Sequence, residues 1–169
     1  LCPEARLIKT QPAALEFFAA LDGPAVMKPL SSSGSELVFL CESTEQCQAA
    51  YQIMEKKLKS NTNRRMYTAR HMHREENPRD TVVMEQYIPG EEYSCDFILD
   101  DQSVRIIRLT KKHFNHGASF GTMQAYELPA QLPEGINMAG LEMFLVKASH
   151  SLGLRRAMAM VDLKIYNGQ

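Results

Sequence analysis

Apolar residues along this chain first alternate short runs with stretches of helical period, and later fall into the two-residue rhythm of antiparallel strands. Ala5 to Ile8 predicts a short strand. Thr10 followed by Pro12 marks a helix start, because a proline in the first turn lacks only an N–H that would have had no partner there. Leu15, Phe18 and Ala19 give that helix one apolar stripe, and Gly23-Pro24 ends it. Ala25 to Lys28 predicts a strand that runs into Ser31-Ser32-Ser33-Gly34-Ser35, and Leu37 to Cys41 returns as another. Ser43-Thr44-Glu45-Gln46 is a capping box, in which the serine and the glutamine satisfy orphan N–H groups reciprocally. The helix it opens carries Cys47, Ala50, Tyr51, Met54 and Leu58 at helical spacing. Ser60 to Asp80 is polar, basic and aperiodic, and reads as a mobile stretch.

Beyond it, Thr81 to Ile88 predicts a mostly apolar strand closed by Pro89-Gly90, a turn signal. Tyr93, Cys95, Phe97 and Leu99 then alternate with Glu92, Ser94, Asp96 and Ile98, and Val104 to Leu109 runs back as the hairpin partner. A loop with Gly and His follows over His113 to Gly121, then a strand at Thr122 to Leu128. Leu141, Phe144, Leu145, Ala148 and Leu152 fall on one face of a helix ended by Gly153. Ala157 to Ile165 predicts a last strand, and Asn167-Gly168 is a hairpin turn signal that calls for a second arm.

Composition narrows the classes. The chain has 169 residues, 44% hydrophobic and 23% charged, enough for one domain or two small lobes with a real core. Lys plus Arg number 19 against 20 acidic residues, so the net charge is -1 and a nucleic-acid binder is disfavoured. The one basic cluster, Lys56 to Arg74, reads as a solvated helix end and loop. No apolar run is long enough to span a bilayer, and Leu1 to Thr10 lacks the layout of a signal peptide. Cys2, Cys41, Cys47 and Cys95 are scattered without a C-x-x-C pair, which points to reduced thiols in a cytoplasmic protein. His71-x-His73 has no further ligand nearby and is not read as a metal site. The ten methionines read as core.

Three groups of residues carry candidate chemistry. Lys28 ends a buried strand before a Ser/Gly turn, where its ammonium and the N–H and hydroxyl groups of Ser32 to Ser35 suit phosphate; the alternative is an exposed lysine before a surface hairpin. Glu85 and Glu92 bracket a tight linker, so carboxylates could accept from an exocyclic amine at one end and ribose hydroxyls at the other, unless this is an ordinary solvated hairpin. Asp162 lies within an apolar strand, where a buried carboxylate needs a partner such as a cation, or a salt bridge near Lys164 or to an arginine.

In order and spacing these groups resemble the ATP-grasp superfamily. The matching residues are Pro24-x-Val26-x-Lys28-Pro29 with Ser33-Gly34-Ser35, then Glu85-Gln86-Tyr87-Ile88-x-Gly90-x-Glu92-Tyr93-Ser94-x-Asp96, then Val161-Asp162-Leu163-Lys164. The resemblance implies an α+β fold with two α/β lobes of mainly antiparallel sheets enclosing a nucleotide cleft, incomplete at its C-terminal end. Residues 1–84 would form the N-terminal lobe and 85–169 the C-terminal one, with a hinge at about 85–90. It further implies that Lys28 contacts the α- and β-phosphates of ATP and that Ser32, Ser33, Gly34 and Ser35 form the lid over them. Glu85, with the backbone of Gln86 and Ile88, would recognise adenine, and Glu92 would hold the ribose. Asp162 would be the first acid for Mg2+, and Lys111 or Lys112 would reach the γ-phosphate.

Members of that superfamily phosphorylate a carboxylate with ATP and let an amine or another nucleophile attack the acylphosphate. The resemblance therefore implies small-molecule carboxylate and amine substrates, with no nucleic acid or membrane partner and a homodimer left open. A glutamate and an asparagine after the Asn167-Gly168 turn would complete the magnesium site, so these 169 residues alone are expected to be inactive. Two other readings stand beside the ligase: a kinase of the same fold acting on a hydroxyl, and a non-catalytic module that binds a nucleotide or a partner.

Overall fold

The computed structural model describes residues 3–32, 35–60, 76–115 and 120–168. Ser33 and Gly34 of the expected lid, most of the Ser60–Asp80 stretch with His71 and His73, and four residues of the His113–Gly121 loop lie outside the described residues. The elements run in the order β1 (Ala5–Ile8), α1 (Gln11–Ala20), β2 (Ala25–Pro29), β3 (Phe39–Cys41), α2 (Thr44–Ser60), β4 (Val82–Gln86), β5 (Glu91–Asp100), β6 (Ser103–Phe114), β7 (Met123–Glu127), α3 (Met138–Ser151) and β8 (Arg156–Ile165). They fall into two units, Leu1–Tyr87 with His116–Thr122, and Ile88–Asn115 with Met123–Gln169. The architecture is α+β with two antiparallel sheets.

The first unit holds a four-stranded sheet in the order β1-β4-β2-β3. Helix α1 starts where the sequence signals, with Thr10 Oγ1 accepting from the Ala13 N–H at 3.4 Å and a proline in the first turn. At α2, Ser43 Oγ accepts from the Gln46 N–H at 3.3 Å. The glutamine departs from the expected reciprocity: its Oε1 accepts from the Glu42 N–H at 2.7 Å, one residue before the serine. Cys47, Ala50, Tyr51, Met54 and Leu58 are all buried, against Ile8, Ala25, Met27, Val82 and Met84 of the sheet and Ala14 and Phe17 of α1. At roughly 2 kcal/mol for each larger side chain removed from water, this stripe is what holds α2 to the sheet. Strand β3 begins at Phe39 instead of Leu37, because Leu37 sits in a turn with φ 59°.

The second unit holds a sheet in the order β7-β6-β5-β8. Strand β5 is central, and its alternation is realised: Tyr93, Cys95, Phe97 and Leu99 are buried together with Leu141 and Leu145 of α3. Two expectations fail here. Phe144 and Leu152 are exposed at 58% and 77%, since the face of α3 that meets the sheet is Leu141, Leu145 and Ser149, one residue every four. Met158 and Met160 are exposed as well, whereas Met27, Met54 and Met84 are core. The cause is the pleat of β8, which turns Ala159, Val161 and Leu163 toward the core and the even-numbered residues outward. No helix among the described residues is long and apolar enough to cross a membrane.

Candidate functional site

In the first unit, β2 and β4 pair so that Val26 faces Glu85 and Lys28 faces Val83. Met27, Val82 and Met84 belong to the helix-covered core, so the pleat sends Lys28 and Glu85 to the opposite, open face. There Lys28 Nζ donates to Glu85 Oε1 at 2.6 Å, with the two side chains 37% and 26% exposed. A phosphate-type cation and a carboxylate, separate in the sequence reading, are direct partners in this structure.

Strand β2 leads into Ser31 and Ser32, and the turn resumes at Ser35, which has φ 59° and accepts from the Val38 N–H at 3.3 Å. At the end of β4, the Gln86 N–H donates to the Glu4 carbonyl at 2.8 Å and the Tyr87 N–H to the Pro24 carbonyl at 2.9 Å. Gln86 therefore has no N–H left to offer a base, and its carbonyl is the backbone group that remains.

In the second unit, Glu92 of β5 faces Lys164 of β8, and Ser94 faces Asp162. Tyr93 faces Lys111 of β6, so that continuing the register sets Lys112 beside Glu92. Lys112 Nζ lies 3.0 Å from Glu92 Oε1 and 2.8 Å from Asp162 Oδ2, reaching across β5 to do so. Its side chain is 10% exposed, while Glu92 and Asp162 are 22% and 52% exposed. Burial alone would lower the lysine pKa, but the hydrogen bonds to Asp162 and Glu92 and their charges outweigh it and raise the value.

Asp162 is thus not a buried acid. It projects from the outer face of β8, and its salt-bridge partner is Lys112, not an arginine or the neighbourhood of Lys164. The two adjacent lysines also separate, and both lie within β6 instead of after the hairpin. Lys111 is on the other face, bonded to Glu91, whose Oε2 accepts from the buried Tyr93 hydroxyl at 2.7 Å. Lys111, and then Tyr93, hold the Glu91 carboxyl below its usual range, and burial pushes the Tyr93 hydroxyl up. Lys111 thus pairs with Glu91, and of the two lysines Lys112 joins Glu92 and Asp162.

The linker between β4 and β5 is fixed by contacts the sequence did not announce. Lys164 Nζ donates to the Ile88 carbonyl at 3.0 Å. Gly90 has φ +127°, and a Cβ there would stand 2.3 Å from the Ile165 carbonyl oxygen. Arg108 Nε donates to Asp96 Oδ2 at 2.7 Å on the Lys112 face of the sheet, a pair the reading also missed.

The fold is α+β with two antiparallel sheets, and comparison with known proteins gives its family. Residues 21–169 match the model of the ATP-grasp domain, and the chain belongs to that family. Among solved structures, L-amino acid ligase from Bacillus licheniformis aligns over 99% of this chain and 33% of its own, with 19% identity and a TM-score of 0.65. VanG D-Ala:D-Ser ligase from Enterococcus faecalis aligns over 98% and 44%, with 16% identity and a TM-score of 0.66. The biotin carboxylase domain of 2-oxoglutarate carboxylase from Hydrogenobacter thermophilus, a complex with MgADP, ADP and bicarbonate, aligns over 95% and 32%, with 12% identity and a TM-score of 0.64. The chain spans a third to less than half of the length of these proteins. No curated protein sequence matches it.

Proposed function

We propose that this chain is the ATP-binding part of a ligase that activates a carboxylate as an acylphosphate for attack by an amine or another nucleophile. The observation that carries the reading is Lys112 shared between Glu92 and Asp162. One ammonium held by two carboxylates places acceptor oxygens and a cation side by side on this sheet face, a combination that suits hydroxyl donors and phosphate. Glu92 would hold the ribose and Lys112 the terminal phosphate. Lys28 would bind the α- and β-phosphates under the lid of Ser32, Ser33, Gly34 and Ser35, and Glu85, the Gln86 carbonyl and the Ile88 N–H would read adenine.

Magnesium commonly takes one or two protein carboxylates together with phosphate oxygens and water. Asp162 offers one such carboxylate, and no group of three or more His, Cys, Asp or Glu among the described residues could hold a metal ion. The fit is partial: Asp162 would be one ligand, and the ion would supply charge neutralisation at the phosphates. What the chain's own cations do is clearer. Lys112 would offset the charge that builds on the transferring phosphoryl group.

In the proposed reaction a carboxylate oxygen attacks the γ-phosphorus and ADP leaves. The amine then attacks the acyl carbon, inorganic phosphate leaves and the amine loses a proton. One carboxylate oxygen thus ends in phosphate, and turnover of an 18O-labelled carboxylate by the whole protein tests this directly. Label in the released phosphate with a new amide supports the ligase, whereas phosphate retained on a hydroxyl product would make the protein a kinase.

A further inference from the structure

We propose that Lys164 is a positioning residue that sets base selectivity by holding the linker backbone between β4 and β5. The proposal rests on the reading above that the Ile88 N–H meets the base.

Ile88 is constrained from two directions. Pro89 follows it, and a proline disfavours helical backbone in the residue before it, which keeps Ile88 extended. Lys164 Nζ takes its carbonyl at 3.0 Å, and a charged donor makes a stronger bond than a neutral one. Pro89 has no N–H of its own, so the Ile88 N–H is the last backbone donor of the linker before Gly90. With the carbonyl engaged, the N–H is the group left to face a ligand; no hydrogen bond among the described residues uses it. Two residues on, Gly90 lies against the Ile165 carbonyl so closely that only a glycine fits. The linker is therefore seated on the last two residues of β8 at two points.

The strand that seats it also carries Asp162, which shares the outward face with Lys164. One strand then fixes the linker and presents the candidate metal acid two residues away, without Lys164 needing to touch the nucleotide. An edge purine is distinguished by whether a backbone donor meets an acceptor or another donor: adenine N1 accepts, while the corresponding guanine N1–H donates. A linker free to rotate its peptide planes loses that distinction while keeping its phosphate contacts.

The test is calorimetric titration of the chain and of Lys164→Met and Lys164→Arg, with magnesium present, using non-hydrolysable ATP and GTP analogues and inorganic tripolyphosphate. Lys164→Met is expected to lose about tenfold in affinity for the ATP analogue, the scale of one charged hydrogen bond, with tripolyphosphate binding unchanged. The ATP-to-GTP preference falls with it, and Lys164→Arg, which still donates, restores the preference. A parent chain that prefers ATP together with a Lys164→Met chain that prefers it equally overturns the proposal alone. Uniform loss on all three ligands also overturns it, since that is a general structural defect. A folded parent chain that binds none of them overturns the nucleotide reading, and the proposal with it.

Discussion

Lys112 Nζ stands 2.8 Å from Asp162 Oδ2, although β5 runs between the strands that carry them. The contact spans the sheet because Ser94, the residue of β5 opposite Asp162, is too short to separate them. Removing the lysine leaves the Glu92 and Asp162 carboxylates without the ammonium they share. Lys112→Met is expected to destabilise the chain by about 1–2 kcal/mol, less than the full cost of breaking a buried pair because Asp162 is half exposed. Denaturant unfolding measures it, and no change in midpoint would contradict the pairing.

The same lysine gives a pH dependence with a definite sign. Its folded pKa lies above the unfolded value of 10.5, because Asp162 and Glu92 outweigh the burial that acts the other way. Its contribution is therefore complete below pH 10.5 and is lost as pH rises through the folded value. Stability measured from pH 9 to pH 12 should fall less steeply in Lys112→Met than in the parent, to the extent of this one group.

Lys28 and Glu85 behave differently, since both are partly open to solvent. Lys28→Ala and Glu85→Ala should each shift stability by less than about 1 kcal/mol, the usual scale of such pairs. A double-mutant cycle on unfolding reads the coupling, and a value well above that range would mean the pair serves the fold more than a ligand.

Gly90→Ala should cost about 2–4 kcal/mol, because the added carbon meets a backbone oxygen and the φ of +127° disfavours any side chain. Thermal unfolding checks this, and a shift of under a degree would show that the linker is not seated on Ile165.

Cys41, Cys47 and Cys95 are free and buried. The hydrogen bond with Cys47, with burial second, pushes the Cys41 thiol up, and burial pushes Cys95 up to about 11. Since the thiolate is the reactive form, Cys41 and Cys95 should resist pulse alkylation at pH 8 until the chain unfolds, as peptide mass spectrometry would show. Rapid labelling of either in the native chain would contradict the core packing.

Much of the fold was legible because one-sided burial writes itself into sequence. The stripe of α2 and the alternation of β5 each bury one face, so period and burial coincide at Met54 or Phe97. Strand β8 misled for the same physical reason in reverse. Its outer face carries Met158 and Met160 beside Asp162, so an open face read as apolar and the acid as buried. Lys111 and Lys112 could not be told apart, because neighbours on a strand point to opposite faces and only register decides which joins the acids. The Lys28–Glu85 and Lys164–Ile88 contacts join residues far apart in the chain, and nothing local marks such pairs.

The most direct measurement is calorimetric titration of this chain with Mg2+ and a non-hydrolysable ATP analogue, alongside Lys28→Ala and Glu85→Ala. Saturable binding is predicted, weakened about tenfold or more by each substitution, the scale of a lost charged hydrogen bond. Binding that neither substitution changes, from chains shown to be folded, would contradict the assignment of Lys28 and Glu85 to the nucleotide.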